Sequence, residues 1–180
     1  MNKLFISFSI TIISIGFFSC KPNLKEENIA SGNANFSRYV AIGNSLTAGY
    51  EDGALYRTGQ INSYPNMLAT QFALVGGGIF NIPLMDEGAG NDGSDNARRI
   101  LGFVTPCNSD IPSLSPIIDP TGFTPLNNVK SGGPYNLIGV PGARAIDATL
   151  GLYGLFNPFL NRFCSSPGVS TLFSEAIRVD

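Results

Sequence analysis

The sequence predicts an α/β fold built around a parallel sheet. Two short β-prone apolar runs, residues 38–42 and 135–140, each close on a glycine turn, and a helical repeat lies between them at residues 63–73. Strands that alternate with helices favour parallel pairing through crossovers. Composition agrees with a packed domain: 43% of the 180 residues are hydrophobic and only 13% are charged, against roughly 25% charged in an average soluble domain. The formal net charge is -2, from 11 basic and 13 acidic side chains. No basic surplus is present to neutralise phosphates, so nucleic acid is not an expected partner. The count with most consequence is His 0. The commonest general base and commonest metal ligand are missing, so these 180 residues alone hold neither a Ser-His-Asp site nor a His-rich zinc site.

At the N-terminus, Lys3 precedes a charge-free apolar stretch over residues 4–18. As a helix it would span ~22 Å, short of a ~30 Å hydrocarbon core. It is expected to be the apolar region of an export signal. The stretch ends in Phe17-Phe18-Ser19-Cys20, which resembles the lipobox of bacterial lipoproteins. That resemblance implies cleavage before Cys20 and lipidation of Cys20, with residues 1–19 as signal. Residues 20–36 are polar, carrying Lys21, Pro22, Lys25, Glu26, Glu27 and Gly32, and are expected to tether the anchor to a domain over residues 37–180.

The first run, Arg38-Tyr39-Val40-Ala41-Ile42, leads as a buried strand into the Gly43-Asn44 turn. In the helix that follows, Tyr64, Met67, Leu68, Gln71 and Phe72 fall at i, i+3, i+4, i+7 and i+8, four of the five apolar, so an amphipathic helix is expected. Ser63 is its expected N-cap and Pro65 sits in its first turn. Residues 79–134 hold seven of the twelve prolines and read as a long elaborated loop, with a short helix around 96–103. The second strand, 135–140, turns at Pro141-Gly142-Ala143 into a short helix near 145–150. Ser170 is the expected cap of a last helix with Leu172, Phe173, Ala176 and Ile177 on one face. Two short strands are few for a parallel sheet, so the pattern expects a further strand after Asp180.

Chemistry concentrates in Gly43-Asn44-Ser45-Leu46. A strand delivers Ser45 into a tight turn that opens toward a helix, at the strand end where open α/β sheets bind ligands. A serine so placed is a candidate nucleophile with backbone donors beside it. It is also a candidate simple helix cap. Gly43-Asn44-Ser45-Leu46, with Thr47-Ala48-Gly49-Tyr50 after it, resembles the first block of the SGNH, or GDSL, hydrolases, with Asn44 where Asp is usual. Leu137-Ile138-Gly139-Val140-Pro141-Gly142-Ala143 resembles the second block. Gly142 is the matching glycine and Gly139 the alternative. With Gly53-Ala54-Leu55-Tyr56-Arg57, the pattern is similar to exported lipoprotein members of that family from Bacteroidetes-type bacteria.

The resemblance implies a flavodoxin-like three-layer α/β/α fold, present here only in its first strands and helices. It implies ester hydrolysis with Ser45 as nucleophile and the Gly142 N–H as an oxyanion donor, an ester substrate, and no cofactor or metal. It places the protein in the cell envelope, anchored by lipid at the outer membrane. The family also requires a Gly-x-Asn-Asp block and an Asp-x-x-His, and neither follows Gly142. The chain itself is therefore expected to be catalytically deficient. Gly90-Asn91-Asp92 resembles the third block but precedes the second, and a polar turn is the preferred reading. Asp86, Asp92 and Asp95 do not have EF-hand spacing. Lys130 is read as a solvated surface lysine, and Arg144 with Asp147 as a local i,i+3 pair or cleft lining. Cys107 and Cys164 are open between a disulfide, which an oxidising compartment allows, and two free thiols. The competing functional class is a non-enzymatic envelope lipoprotein that binds glycan or lipid through the long loop. A redox-sensitive module using the two cysteines is a third, weaker option, because they form no C-x-x-C motif.

Overall fold

A computed structural model describes residues 29–179. The signal region 1–19, Cys20 and most of the tether lie outside the described residues. Packing begins at Phe36, whose ring stacks on Phe72 at a 4.4 Å centroid separation.

The fold is mixed α/β. Strand β1, Ala41–Gly43, pairs in parallel with β4, Leu137–Gly139, in the register Ala41↔Leu137 and Gly43↔Gly139. Both predicted strands are therefore present and parallel, though each is shorter than its apolar run. The reason is at their start. Asn136 donates from Nδ2 to the Tyr39 carbonyl at 2.8 Å, and its backbone oxygen receives the Ala41 N–H at 2.9 Å. A side chain thus substitutes for one rung of the ladder. Between the strands in sequence, β1 leads directly into helix α1, Ser45–Ala48, which packs on β4. Gly139 permits that approach, since a Cβ there would lie 2.3 Å from the Ala48 nitrogen.

After the short helix α2, Arg57–Ile61, comes α3, Tyr64–Ala73. Ser63 does occupy the N-cap, but its hydroxyl makes no capping bond and is buried without a partner. Pro65 and Ala69 are the buried residues of α3, whereas Tyr64, Met67 and Leu68 are 50%, 56% and 41% exposed. Of the apolar stripe, Phe72 packs against Phe36 and Tyr39, and the rest of it lies largely open.

The helix expected around 96–103 is a strand. β2, Arg99–Val104, forms an antiparallel hairpin with β3, Ser113–Ile118, with Leu101 opposite Pro116. Asp92 prevents helix initiation upstream: its carboxylate accepts the Ser94 and Asn96 N–H groups and the Asn96 amide, closing a loop. Pro116 is tolerated because both strands of a two-stranded ribbon are edges.

The core lies beneath β4 and gathers Leu55, Met85, Ile138, Val140, Phe159 and Leu160 with Phe163, Cys164 and Leu172. Cys164 is fully buried in it, and burial raises its thiol pKa. Cys107 is exposed in the loop between β2 and β3, so the two are separate free thiols, not a disulfide. The Phe-rich connection forms two four-residue helices, α4 (Tyr153–Phe156) and α5 (Pro158–Asn161). The last helix, α6, is Leu172–Ile177 and is capped by Thr171, not Ser170. Its buried residues are Leu172 and Glu175, while Phe173 and Ile177 are exposed. Ser170 instead bonds Ser165 Oγ and the Ser166 N–H, both at 3.0 Å. No helix among the described residues is long and apolar enough to cross a membrane.

Candidate functional site

Parallel pairing puts the carboxyl ends of β1 and β4 at one edge, so the turn holding Ser45 and the turn holding Gly142 emerge side by side. Ser45 is the first residue of α1, and the cap belongs to its neighbour: Asn44 Oδ1 accepts the Leu46 N–H at 3.2 Å. The Ser45 hydroxyl is half-buried and has no hydrogen-bond partner among the described residues. The simple-cap reading therefore describes Asn44 and not Ser45. The amide oxygen of Asn44 accepts this N–H as a carboxylate would.

On the second turn, Ala143 donates its N–H to the Val140 carbonyl at 3.0 Å, and Gly142 sits at φ +81°. That left-handed conformation suits glycine and leaves Gly142 exposed. Among the described residues, neither the Ser45 N–H nor the Gly142 N–H is taken by a protein acceptor. Gly139 is different: it lies inside β4, buried against α1. The turn has a further support that sequence reasoning missed. Asn157 Nδ2 donates to the Pro141 carbonyl and to Tyr153 Oη, both at 2.9 Å, while Asn157 Oδ1 caps α5 through the Leu160 N–H at 3.0 Å. The Asn-Pro step at 157–158 was the available signal for that cap.

A cleft of about 170 Å³ lies between the turns, walled by Gly43 and Asn44 on one side and Ala143 and Arg144 on the other, with Ala148 and Leu172. Arg144 and Asp147 form the i,i+3 pair, and Arg144 alone of the two lines the cleft. Asp147 is 2% exposed, and its carboxylate receives Arg144 Nε and Nη2 in a fork, plus the Arg144 backbone N–H, each at 2.9 Å. These hydrogen bonds from Arg144 hold the Asp147 pKa below the ordinary aspartate value, and the carboxylate in turn raises that of Arg144.

The other acids and the lysine lie elsewhere. Asn91 is fully buried and spends its amide on Asp95 Oδ1 and the Thr124 carbonyl, while its own oxygen accepts the Gly93 N–H. Gly90-Asn91-Asp92 is thus a closed polar turn. Asp86 pairs with the Asn127 amide, and no group of three His, Cys, Asp or Glu side chains that could hold a metal occurs among the described residues. Lys130 opens a 3₁₀ turn ahead of the start of β4, at the end of the sheet opposite Ser45. No family model, curated protein or solved structure matches this chain.

Proposed function

We propose that the chain carries the nucleophile and two oxyanion donors of an SGNH-type serine ester hydrolase, attached to the cell envelope through a lipid on Cys20. The observation that carries the reading is the parallel β1–β4 register, which brings the Ser45 turn and the Gly142 turn to one sheet edge with free N–H groups on both. In this reading Ser45 Oγ attacks the ester carbonyl. The carbonyl oxygen gains negative charge as the tetrahedral intermediate forms and is received by the Ser45 and Gly142 N–H groups. Collapse expels the alcohol and leaves an acyl-Ser45, which water then cleaves. The sequence contains no histidine, so the histidine that the resemblance implies as acceptor of the Ser45 proton and donor to the leaving alcohol is not among these 180 residues. No cofactor or metal enters the scheme.

Hydrolysis of a short-chain aryl ester tests this. Loss of a catalytic base costs on the order of 10⁶ in turnover in a serine hydrolase, so the chain alone should work near background and Ser45→Ala should change nothing. Imidazole in solution supplies a proton acceptor. It should raise the rate of the parent chain above that of Ser45→Ala measured with the same imidazole. Equal rates for the two chains would overturn the nucleophile assignment. Strong Ser45-dependent turnover without imidazole would overturn the external base.

A further inference from the structure

The cleft between the two turns is mostly apolar, with Asn44 and Arg144 as its polar side chains. Ile42, Ala143, Ala148 and Leu172 contribute hydrocarbon to its wall, and Arg144 is the one charged residue in it. That guanidinium is unusual in being both held and available. Two of its five N–H donors are committed to the buried Asp147 carboxylate in a fork. The other three have no partner among the described residues, and the side chain is 77% exposed. A free surface arginine must lose rotamer freedom to grip a ligand, whereas this one is already oriented. Asp147 cannot itself turn toward the cleft, because its oxygens are engaged with Arg144 and it is 2% exposed. The volume is about 170 Å³, which suits a chain of a few carbons.

We infer that this cleft takes a short apolar acyl chain ending in a carboxylate, so that the substrate class is esters of small dicarboxylic acids, with the free carboxylate on the outer N–H groups of Arg144. The inference rests on the hydrolase reading for its word "substrate" but not for its binding site. Arg144 is in this sense a specificity residue, and Asp147 a positioning residue that acts through it.

The test titrates monomethyl succinate, and separately dimethyl succinate, into the 180-residue chain carrying Ser45→Ala to prevent turnover. Binding is followed by the backbone N–H signals of Asn44 and Ala143. The monoanion should bind about tenfold or more tighter than the neutral diester, as a charge-assisted hydrogen bond requires. Arg144→Gln combined with Asp147→Asn removes both charges without stranding a buried carboxylate, and should abolish the preference. Arg144→Lys, which lacks the fork, should retain only part of it. Equal binding of the two esters, or a preference that survives in the double variant, would overturn the proposal. An Arg144-dependent preference without imidazole-assisted, Ser45-dependent hydrolysis in the parent chain would support the anion site while removing the hydrolase reading. Such hydrolysis of both esters at equal rates would do the reverse.

Discussion

At the scale of single residues, the spacing of Arg144 and Asp147 marked them as an i,i+3 pair, but nothing in the sequence marked the burial of the Asp147 carboxylate. That carboxylate is more acidic in the folded chain because Arg144 hydrogen-bonds it. Glu175 behaves likewise: burial pushes its pKa up, but bonds from Ser165, Ser170 and Arg178 outweigh that and leave it lowered. The sign follows from proton counting. Between the folded and unfolded pKa values the unfolded chain binds more protons, so stability rises with pH across that window. Stability from both groups is complete above the ordinary carboxylate range and is lost as pH falls through their folded values. Melting temperature should therefore drop as pH is lowered from 5 toward 2, and Asp147→Asn should make that drop shallower. An unchanged acid limb in Asp147→Asn would show that the fork does not stabilise the fold.

Arg162 carries a second residue-scale prediction. It is 4% exposed and donates to the Pro83 carbonyl at 2.6 Å, the Leu84 carbonyl at 2.7 Å and the Asn127 carbonyl at 3.3 Å. Burial lowers its pKa to about 10, so it is still a cation at neutral pH. Its donors stitch two separate loops of the long 79–134 region to the helical end of the chain. Arg162→Ala leaves the Leu84 and Asn127 carbonyls without a donor, while Pro83 keeps the Gln60 amide at 2.8 Å, at about 1–3 kcal/mol for each carbonyl left unpaired. Urea unfolding should show a loss of about 2 kcal/mol or more, and Arg162→Lys, with a single ammonium in place of a fork, should recover only part of it. A loss under ~0.5 kcal/mol would mean that water replaces the guanidinium.

At the scale of elements, what the sequence revealed depended on which force shaped each one. The two strands and α3 were legible because apolar runs and a 3.6-residue repeat follow from burial on one side. The turn at Pro141-Gly142 was legible because the left-handed backbone of Gly142 favours glycine, and Gly43-Asn44 because a Cβ at Gly43 would lie 2.0 Å from Thr47 Oγ1 and Asn44 caps the helix that follows. The hairpin was not: Leu101 and Phe103 are 70% and 74% exposed, so no half-buried alternation marks β2, and Pro116 argues against β3. Helices α4 and α5 are too short, at four residues each, to show any period. The apolar stripe of α3 was legible, but not that only Phe72 of it would be packed while Met67 and Leu68 stay exposed, because periodicity says where apolar residues lie and not whether they are covered. Met67→Lys distinguishes covered from exposed. Burial would make it cost several kcal/mol. With Met67 56% exposed, the change in unfolding free energy should stay within about 0.5 kcal/mol. A larger loss would place the residue in a core after all.

At the scale of the whole molecule, these exposed residues join into one property. β1 has a strand partner only on its β4 side among the described residues, so its other edge is open. Ile42 on that strand and Leu46 on α1 are 37% and 73% exposed. α1 meets α3 through Thr47 Oγ1 and Tyr64 Oη at 3.0 Å, which brings the exposed stripe of α3 close to both. An open strand edge offers unpaired N–H and C=O groups to another chain, and apolar side chains beside it add a driving force for association. Charge does little to oppose this, with a formal net of -2 over 180 residues. Residues 29–180, expressed without the apolar N-terminal stretch, should therefore bind a hydrophobic dye in the folded state and self-associate as concentration rises. Adding Leu46→Lys and Met67→Lys together should lower both the dye signal and the associated fraction seen by sedimentation, with little change in unfolding free energy. A parent chain that stays monomeric at high concentration, binds no dye and melts in one sharp transition would show that this surface is covered, and that the open edge of β1 is not open in solution.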